Sequence, residues 1–191
     1  LHLGMTGGWS ETYIRHCHFK VYAEDRVLFF KDVRKFGKLR IINKEQIKQK
    51  HFSTYDLLNK DYDLEEHLKY LKNKVSQSKS VCSILMDQRF FPGVGNYIKS
   101  EALYATKLHP EKQWSKLSSK KLKELLLSTK DIMQSSYLSG GAELKDFKNP
   151  FHDSKFELKV YGNKEDRYGN EVVSSTTSDQ RKSWYCPKVQ K

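Results

Sequence analysis

The sequence predicts an α+β fold, and three observations carry that reading. Residues 16–42 mix β-branched and aromatic side chains around short polar pairs, the pattern of strands. Residues 64–138 place leucines at helical spacing, interrupted once by a Pro/Gly cluster. From 156 to 191 strand character returns, with a turn signal at Tyr168, Gly169 and Asn170.

In order along the chain, HFKVYAEDRVLFF (residues 18–30) reads as a hairpin turning at Glu24 and Asp25, and KLRII (38–42) as a further strand. One short meander cannot bury its apolar face alone, and LHLGMTG opens in mid-pattern. Residues 1–50 are therefore expected to be the end of a β-rich lobe whose beginning is absent. A second domain is expected over 51–150. There Leu64, Leu68 and Leu71 mark a helix over 64–75, and 81–86 is a short apolar segment. FPGVGN (91–96) breaks the pattern before a new helix starts at Tyr97. A long amphipathic helix over 117–138 carries Leu122, Leu125, Leu126 and Met133 on its apolar side and stops at Gly140 and Gly141. Residues 151–191 form the third segment, a β-hairpin. No internal repeat or low-complexity tract appears.

Charge narrows the function. With 35 Lys+Arg against 23 Asp+Glu the net charge is +12, and 37% hydrophobic and 13% aromatic residues provide too much core material for a disordered basic tail. A folded chain this basic favours a polyanion: nucleic acid first, then an acidic membrane surface, then an acidic protein. No run of about 18 apolar residues exists to span a bilayer, and the first ten residues lack a secretory signal pattern. Cys17, Cys82 and Cys186 are odd in number and widely separated, so neither a disulfide framework nor a paired-CxxC zinc site can be written. The expectation is a soluble, intracellular protein of a reducing compartment. The cluster His16, Cys17, His18 makes no metal site if strand alternation holds, because Cys17 then faces away from both histidines.

The densest chemistry lies in MDQRFFPGVGNYIKSEALYATKLHPEK (86–112). Gly93 and Gly95 let backbone approach a phosphate, and Asn96 stands where it would cap the following helix, so N–H groups and the helix dipole would face one anion.

DQ followed by GVGNYIKSEAL and HP resembles the helix–two-turns–helix signature of the formamidopyrimidine-DNA glycosylase and endonuclease VIII family of base-excision repair enzymes. Four more matches occur in the family's order. LHLGMTG (1–7) resembles the motif ending an intercalation loop, and DVRKFG (32–37) the DxRxFG loop. SGGAELKDF (139–147) resembles the Gly-Gly-to-DF segment, and QRKSWYCPKVQK (180–191) the closing strand of the DNA-binding finger. The resemblance implies the remainder of an N-terminal β-sandwich lobe, a helix–two-turns–helix domain and a C-terminal hairpin finger. It also implies roles. Met5, Arg34 and Phe36 would fill the void left by a flipped-out base, with the Arg34 guanidinium reading the orphaned base's edge. Asn96 and Arg181 would pinch the backbone phosphate, with Gly93 and Gly95 beside them, while Lys99 would only be near. The function implied is excision of oxidised bases with strand cleavage at the abasic site. The partner is double-stranded DNA with oxidised or abasic sites, single-stranded DNA being a further candidate, bound by a monomer with access to DNA in cytoplasm, nucleus or viral factory.

Three departures qualify the resemblance. The finger lacks the family's two CxxC pairs, the last reading Cys186…Val189, so it resembles the zincless fingers of endonuclease VIII-like relatives, and no metal or cofactor is expected. Only KNPFHDSKFELK (148–159) follows the DF segment, shorter than the loop of enzymes specific for oxidised guanine, which leaves oxidised pyrimidines and purines both open. Family members begin with a nucleophilic Pro followed by a Glu, whereas this chain begins Leu1-His2. The expectation is that no catalytic residue is present and that the chain alone is inactive. A protein that binds damaged or distorted DNA without catalysis is the alternative.

Overall fold

The structure, a computed structural model, describes residues 7–33, 35, 37, 41, 43, 54–142 and 156–191. It divides into two compact units, Leu1–His51 and Phe52–Lys191, and has the predicted mixed α and β character.

The first unit is an antiparallel sheet of β1 (Gly8–Ser10), β2 (Cys17–Ala23) and β3 (Arg26–Lys31), in the order β1-β3-β2. The hairpin turns where the sequence predicts it: Ala23 pairs with Arg26, and Glu24 takes φ 50°. Trp9 and Phe19 flank Phe30 across the neighbouring strands, with ring centroids 5.3 and 6.4 Å away. Strand β1 was not foreseen, since GWS is too short to show alternation. The strand predicted over 38–42 lies, Ile41 apart, outside the described residues, and Ile41 is not in a strand. The register shifts between Cys17 and Phe19, so the alternation argument about His16, Cys17 and His18 does not hold at that bulge.

The second unit begins with helix α1 (Leu64–Lys74), capped by Asp63, whose carboxylate accepts the Glu66 N–H at 2.9 Å. Leu68 and Leu71 are buried from it, each worth about 1.5–3 kcal/mol of transfer free energy. Helix α2 (Val81–Leu85) starts at the Ser80 cap, and helix α3 (Asn96–Ala105) follows the Pro/Gly turn. Helix α4 runs over Ser119–Leu138, capped by Ser118 and so starting two residues later than predicted, after a 3-10 turn at Trp114–Lys116. It ends as expected: the Gly141 N–H reaches the Ser136 carbonyl at 2.7 Å, with Gly140 and Gly141 at φ 80° and 89°.

Helix α3 is the hub. Seven consecutive residues from Ile98 to Tyr104 are buried, and the helix packs against α4 and the last strand. Its apolar residues Ile98, Ala102 and Leu103 join the main core with Phe91, Leu125 and Leu126. Its polar residues Lys99, Ser100 and Glu101 are buried too, so each needs a partner. The C-terminal segment supplies those partners. The Glu101 carboxylate accepts the N–H groups of Lys159, Val160 and Tyr161 at 3.0–3.1 Å.

That segment ends in the hairpin of β4 (Val173–Thr176) and β5 (Lys182–Tyr185). The turn at Tyr168–Asn170 exists, but it closes only the Glu165–Glu171 bridge; the ordered hairpin turns at residues 177–181 instead.

Candidate nucleic-acid interface

The turn before α3 is built by the Asp-Gln pair. Asp87 caps the descending chain through its carbonyl, which accepts from Phe90 and Phe91, and its carboxylate holds the Arg89 guanidinium. That hydrogen bond keeps the Asp87 pKa below the ordinary carboxylate value, against the cost of burial. Gln88 spans the turn: its Oε1 accepts the Gly93 N–H and its Nε2 donates to the Val94 carbonyl, both at 2.9 Å. Gly93 sits at φ 78°, and a Cβ there would meet the Met133 methyl at 3.2 Å, so glycine is required twice over.

Gly95, not Asn96, is the N-cap of α3, and no side chain caps the helix. The expected capping role of Asn96 is therefore overturned. Asn96 is the first helical residue, and its amide turns sideways, donating from Nδ2 to the Lys182 carbonyl at 2.8 Å while Oδ1 is buried without a partner. The helix start keeps unsatisfied N–H groups, the positive end of its dipole. The Asn96 bond sets β5 beside them.

The β4–β5 turn is fastened from three further sides. Lys99 Nζ donates to Asp179 Oδ2 at 2.6 Å, with Lys99 0% and Asp179 3% exposed. Glu111 Oε1 accepts the Ser178 N–H at 2.6 Å. Ser178 Oγ is within hydrogen-bonding reach of Ser80 and Ser83 at the start of α2. Burial alone would raise the Asp179 pKa, but its bonds to Lys99 and Thr177 prevail and lower it. Between these anchors the exposed residues are Gln180, at φ 59°, Arg181 and Lys182, whose ammonium lies 5.5 Å from the Trp184 ring centre. The structure thus brings together Gly93, Gly95, Asn96 and the end of the turn that bears Arg181, through its neighbour Lys182. An open cleft of about 710 Å³ beside this turn is lined by Asp87, Glu111 and Asp179 as well as Lys79, and its carboxylates disfavour an anion there.

Met5, Arg34 and Phe36 lie outside the described residues. In the DVRKFG segment the Gly37 N–H donates to Asp32 Oδ2 at 2.6 Å, and a Cβ on Gly37 would collide with that oxygen.

The finger residues do not fit a zinc ion. Its single thiol, Cys186, is buried with Tyr104, Val160 and Val172, and Val189 packs against that cluster. Among the described residues no group of three His, Cys, Asp or Glu could hold a metal. Hydrogen bonds organise the ribbon instead. Asp166 accepts from Asn170, the Tyr168 N–H and the Tyr104 hydroxyl, which hold its pKa down to about 2 although burial opposes this. At the end of the chain Gln190 accepts the Cys186 N–H and donates to the Leu108 carbonyl, both at 2.8 Å.

Sequence reasoning missed Gln88, Glu101, Glu111 and Asp179 and set Lys99 aside. For Lys99 and Glu101 the one available signal was polarity within a largely apolar helix, and their partners lie 80 and 58 to 60 residues away.

Known proteins resemble this chain in sequence and in fold. Residues 54–148 match the formamidopyrimidine-DNA glycosylase H2TH domain. The whole chain is similar to formamidopyrimidine-DNA glycosylases of Rickettsia bellii, 30% identical with 74% of the relative covered, and of Zymomonas mobilis, 30% identical with 73% covered. Among solved structures, Lactococcus lactis Fpg in complex with abasic-site DNA aligns with all of this chain and 73% of its own (TM-score 0.83, 26% identity). The Thermus thermophilus MutM (Fpg) protein shares the fold, with a TM-score of 0.85 at 24% identity over 99% of this chain and 74% of its own.

Proposed function

The chain belongs to the formamidopyrimidine-DNA glycosylase family, and from that premise we propose that it serves base-excision repair, excising oxidised bases from double-stranded DNA and cutting the strand at the resulting abasic site. Within these residues the roles are those of grip and distortion. The N–H groups at the start of α3, with the backbone at Gly93 and Gly95, Asn96 and the Arg181 guanidinium, hold phosphates beside the flipped nucleotide. Met5, Arg34 and Phe36 fill the vacated stack; this assignment rests on their motifs alone. Glycosidic-bond chemistry falls to the Pro–Glu pair with which family members begin, and no residue described above is assigned to it.

The observation that supports this reading is the Asn96-to-Lys182 hydrogen bond, which sets the helix start beside the residue that follows Arg181, across 86 residues of sequence. A helix start and an arginine, each suited to an anion, thereby come near one another. The Lactococcus lactis relative, solved with abasic-site DNA, lends support through the fold shared with it.

The test is binding to a duplex carrying an abasic-site analogue, measured over a range of salt concentration. Arg181→Ala should weaken binding about tenfold, the loss of a charge-assisted contact. It should also reduce the slope of log affinity against log salt by roughly 0.9, one phosphate contact. Unchanged affinity and slope would remove Arg181 from the grip.

A further inference from the structure

Lys99 lies one helical turn beyond Asn96 and points away from solvent, its side chain wholly buried against Asp179. A lysine so placed cannot neutralise a phosphate, and a buried ion pair gains little stability over an apolar pair because both charges must be desolvated. What such a pair supplies is geometry. Asp179 uses one carboxylate oxygen for Lys99 at 2.6 Å and the other for the turn that carries Arg181. That second oxygen accepts from Thr177 Oγ1 at 2.5 Å and from the Arg181 N–H at 3.3 Å. With its hydroxyl on Asp179, Thr177 donates its backbone N–H to the Arg181 carbonyl at 3.0 Å. One carboxylate therefore holds α3 through Lys99 on one side and, through Thr177 and the Arg181 N–H, the turn that carries Arg181 on the other.

We propose that Lys99 and Asp179 are positioning residues for Arg181: the buried pair docks the β4–β5 turn on α3, so that the guanidinium meets the same phosphate as the start of that helix. The proposal rests on the phosphate-grip reading above, and it reverses the sign that simple electrostatics gives. Asp179 is an anion two residues from Arg181, in a protein that binds a polyanion. Through-space charge alone makes its neutralisation strengthen DNA binding. Positioning makes it weaken binding.

The experiment measures affinity and salt slope on duplex DNA with an abasic-site analogue for Asp179→Asn, Lys99→Met, the double variant Lys99→Met/Asp179→Leu, and each of these with Arg181→Ala. Thermal unfolding of every variant is followed in parallel. Asp179→Asn is expected to lose about tenfold in affinity, as Arg181→Ala does, and to lower the salt slope by roughly 0.9. The double variant separates docking from stability. With both buried charges replaced by apolar groups it should unfold at or above the wild-type temperature, yet bind as weakly as Asp179→Asn. With Arg181→Ala already present, none of the changes should cost more than about twofold, because residues acting through one group are not additive. Tighter binding by Asp179→Asn, wild-type binding by the double variant, or full additivity with Arg181→Ala would each overturn the proposal while leaving the grip intact. An Arg181→Ala protein with unchanged affinity and slope would overturn the grip itself, and this proposal with it.

Discussion

At Gly95 the backbone is extended and ordinary, with φ −108° and ψ −178°, and a Cβ built there meets nothing within 4 Å. Neither conformation nor packing demands glycine. Gly93, two residues earlier, is the contrast, fixed by its positive φ and by Met133. The open space at Gly95 borders the unsatisfied N–H groups of α3, so the missing side chain matters where a phosphate oxygen approaches the backbone. Gly95→Ala is accordingly expected to cost about 1 kcal/mol of stability or less, the difference between two residues at an N-cap. The same change should weaken binding to abasic-site DNA by about tenfold, on the order of one charge-assisted hydrogen bond. Chemical denaturation and equilibrium binding of the same variant check the two halves, and equal sensitivity of fold and binding would argue against the backbone contact.

The element that carries the turn is held from behind by α1 through one buried histidine. His67 is 0% exposed; its Nε2 lies 2.8 Å from the Phe90 carbonyl and its Nδ1 3.0 Å from the Tyr62 hydroxyl. A neutral ring satisfies both, donating from Nε2 and accepting at Nδ1, and the Tyr55 ring stacks on it at 4.9 Å. Burial lowers the His67 pKa to about 4, although the bond to Phe90 opposes the shift. The unfolded chain then takes up this proton near pH 6.5 and the folded one only near pH 4. Stability is therefore whole above pH 6.5 and declines as pH falls toward 4, by about 3 kcal/mol from this group. Urea unfolding at pH 7, 5.5 and 4.5 should show the decline. His67→Gln should flatten it over that window, and an undiminished pH dependence in His67→Gln would exclude His67 as its source.

Across the whole molecule the net charge is +12, and the residues of the finger are ordered by hydrogen bonds of their own. Asp166, Gln190 and Glu101 perform the ordering that metal ligands would provide, each binding backbone groups of a segment with few regular hydrogen bonds. Purified protein should contain far less than one zinc per chain by elemental analysis, and a chelator should leave both the unfolding temperature and DNA affinity unchanged. A stoichiometric zinc, or a chelator-induced loss of binding, would show that histidines outside the described residues complete a site. Replacing Asp166 by Ala removes acceptors from four donors and should destabilise the finger, with loss of binding at temperatures where the helical core stays folded.

Some of this was legible in the chain itself. The hairpin at Glu24 and Asp25, the helices at Leu68 and Leu125, and the Gly140–Gly141 stop are local, set by periodicity and turn chemistry within a few residues of each other. The signature around Gly93–Asn96 and the position of Arg181 were equally readable, because residue type and spacing carry them. Tertiary structure decided the rest. It gave the cap to Gly95 and turned the Asn96 amide toward the Lys182 carbonyl. It also buried Lys99 and paired it with Asp179, 80 residues away, a match no local pattern encodes. A buried polar group must find a partner wherever the fold places one. The sequence thus determined which residues are chemically suited to a phosphate, and only the fold decided which of them lie together.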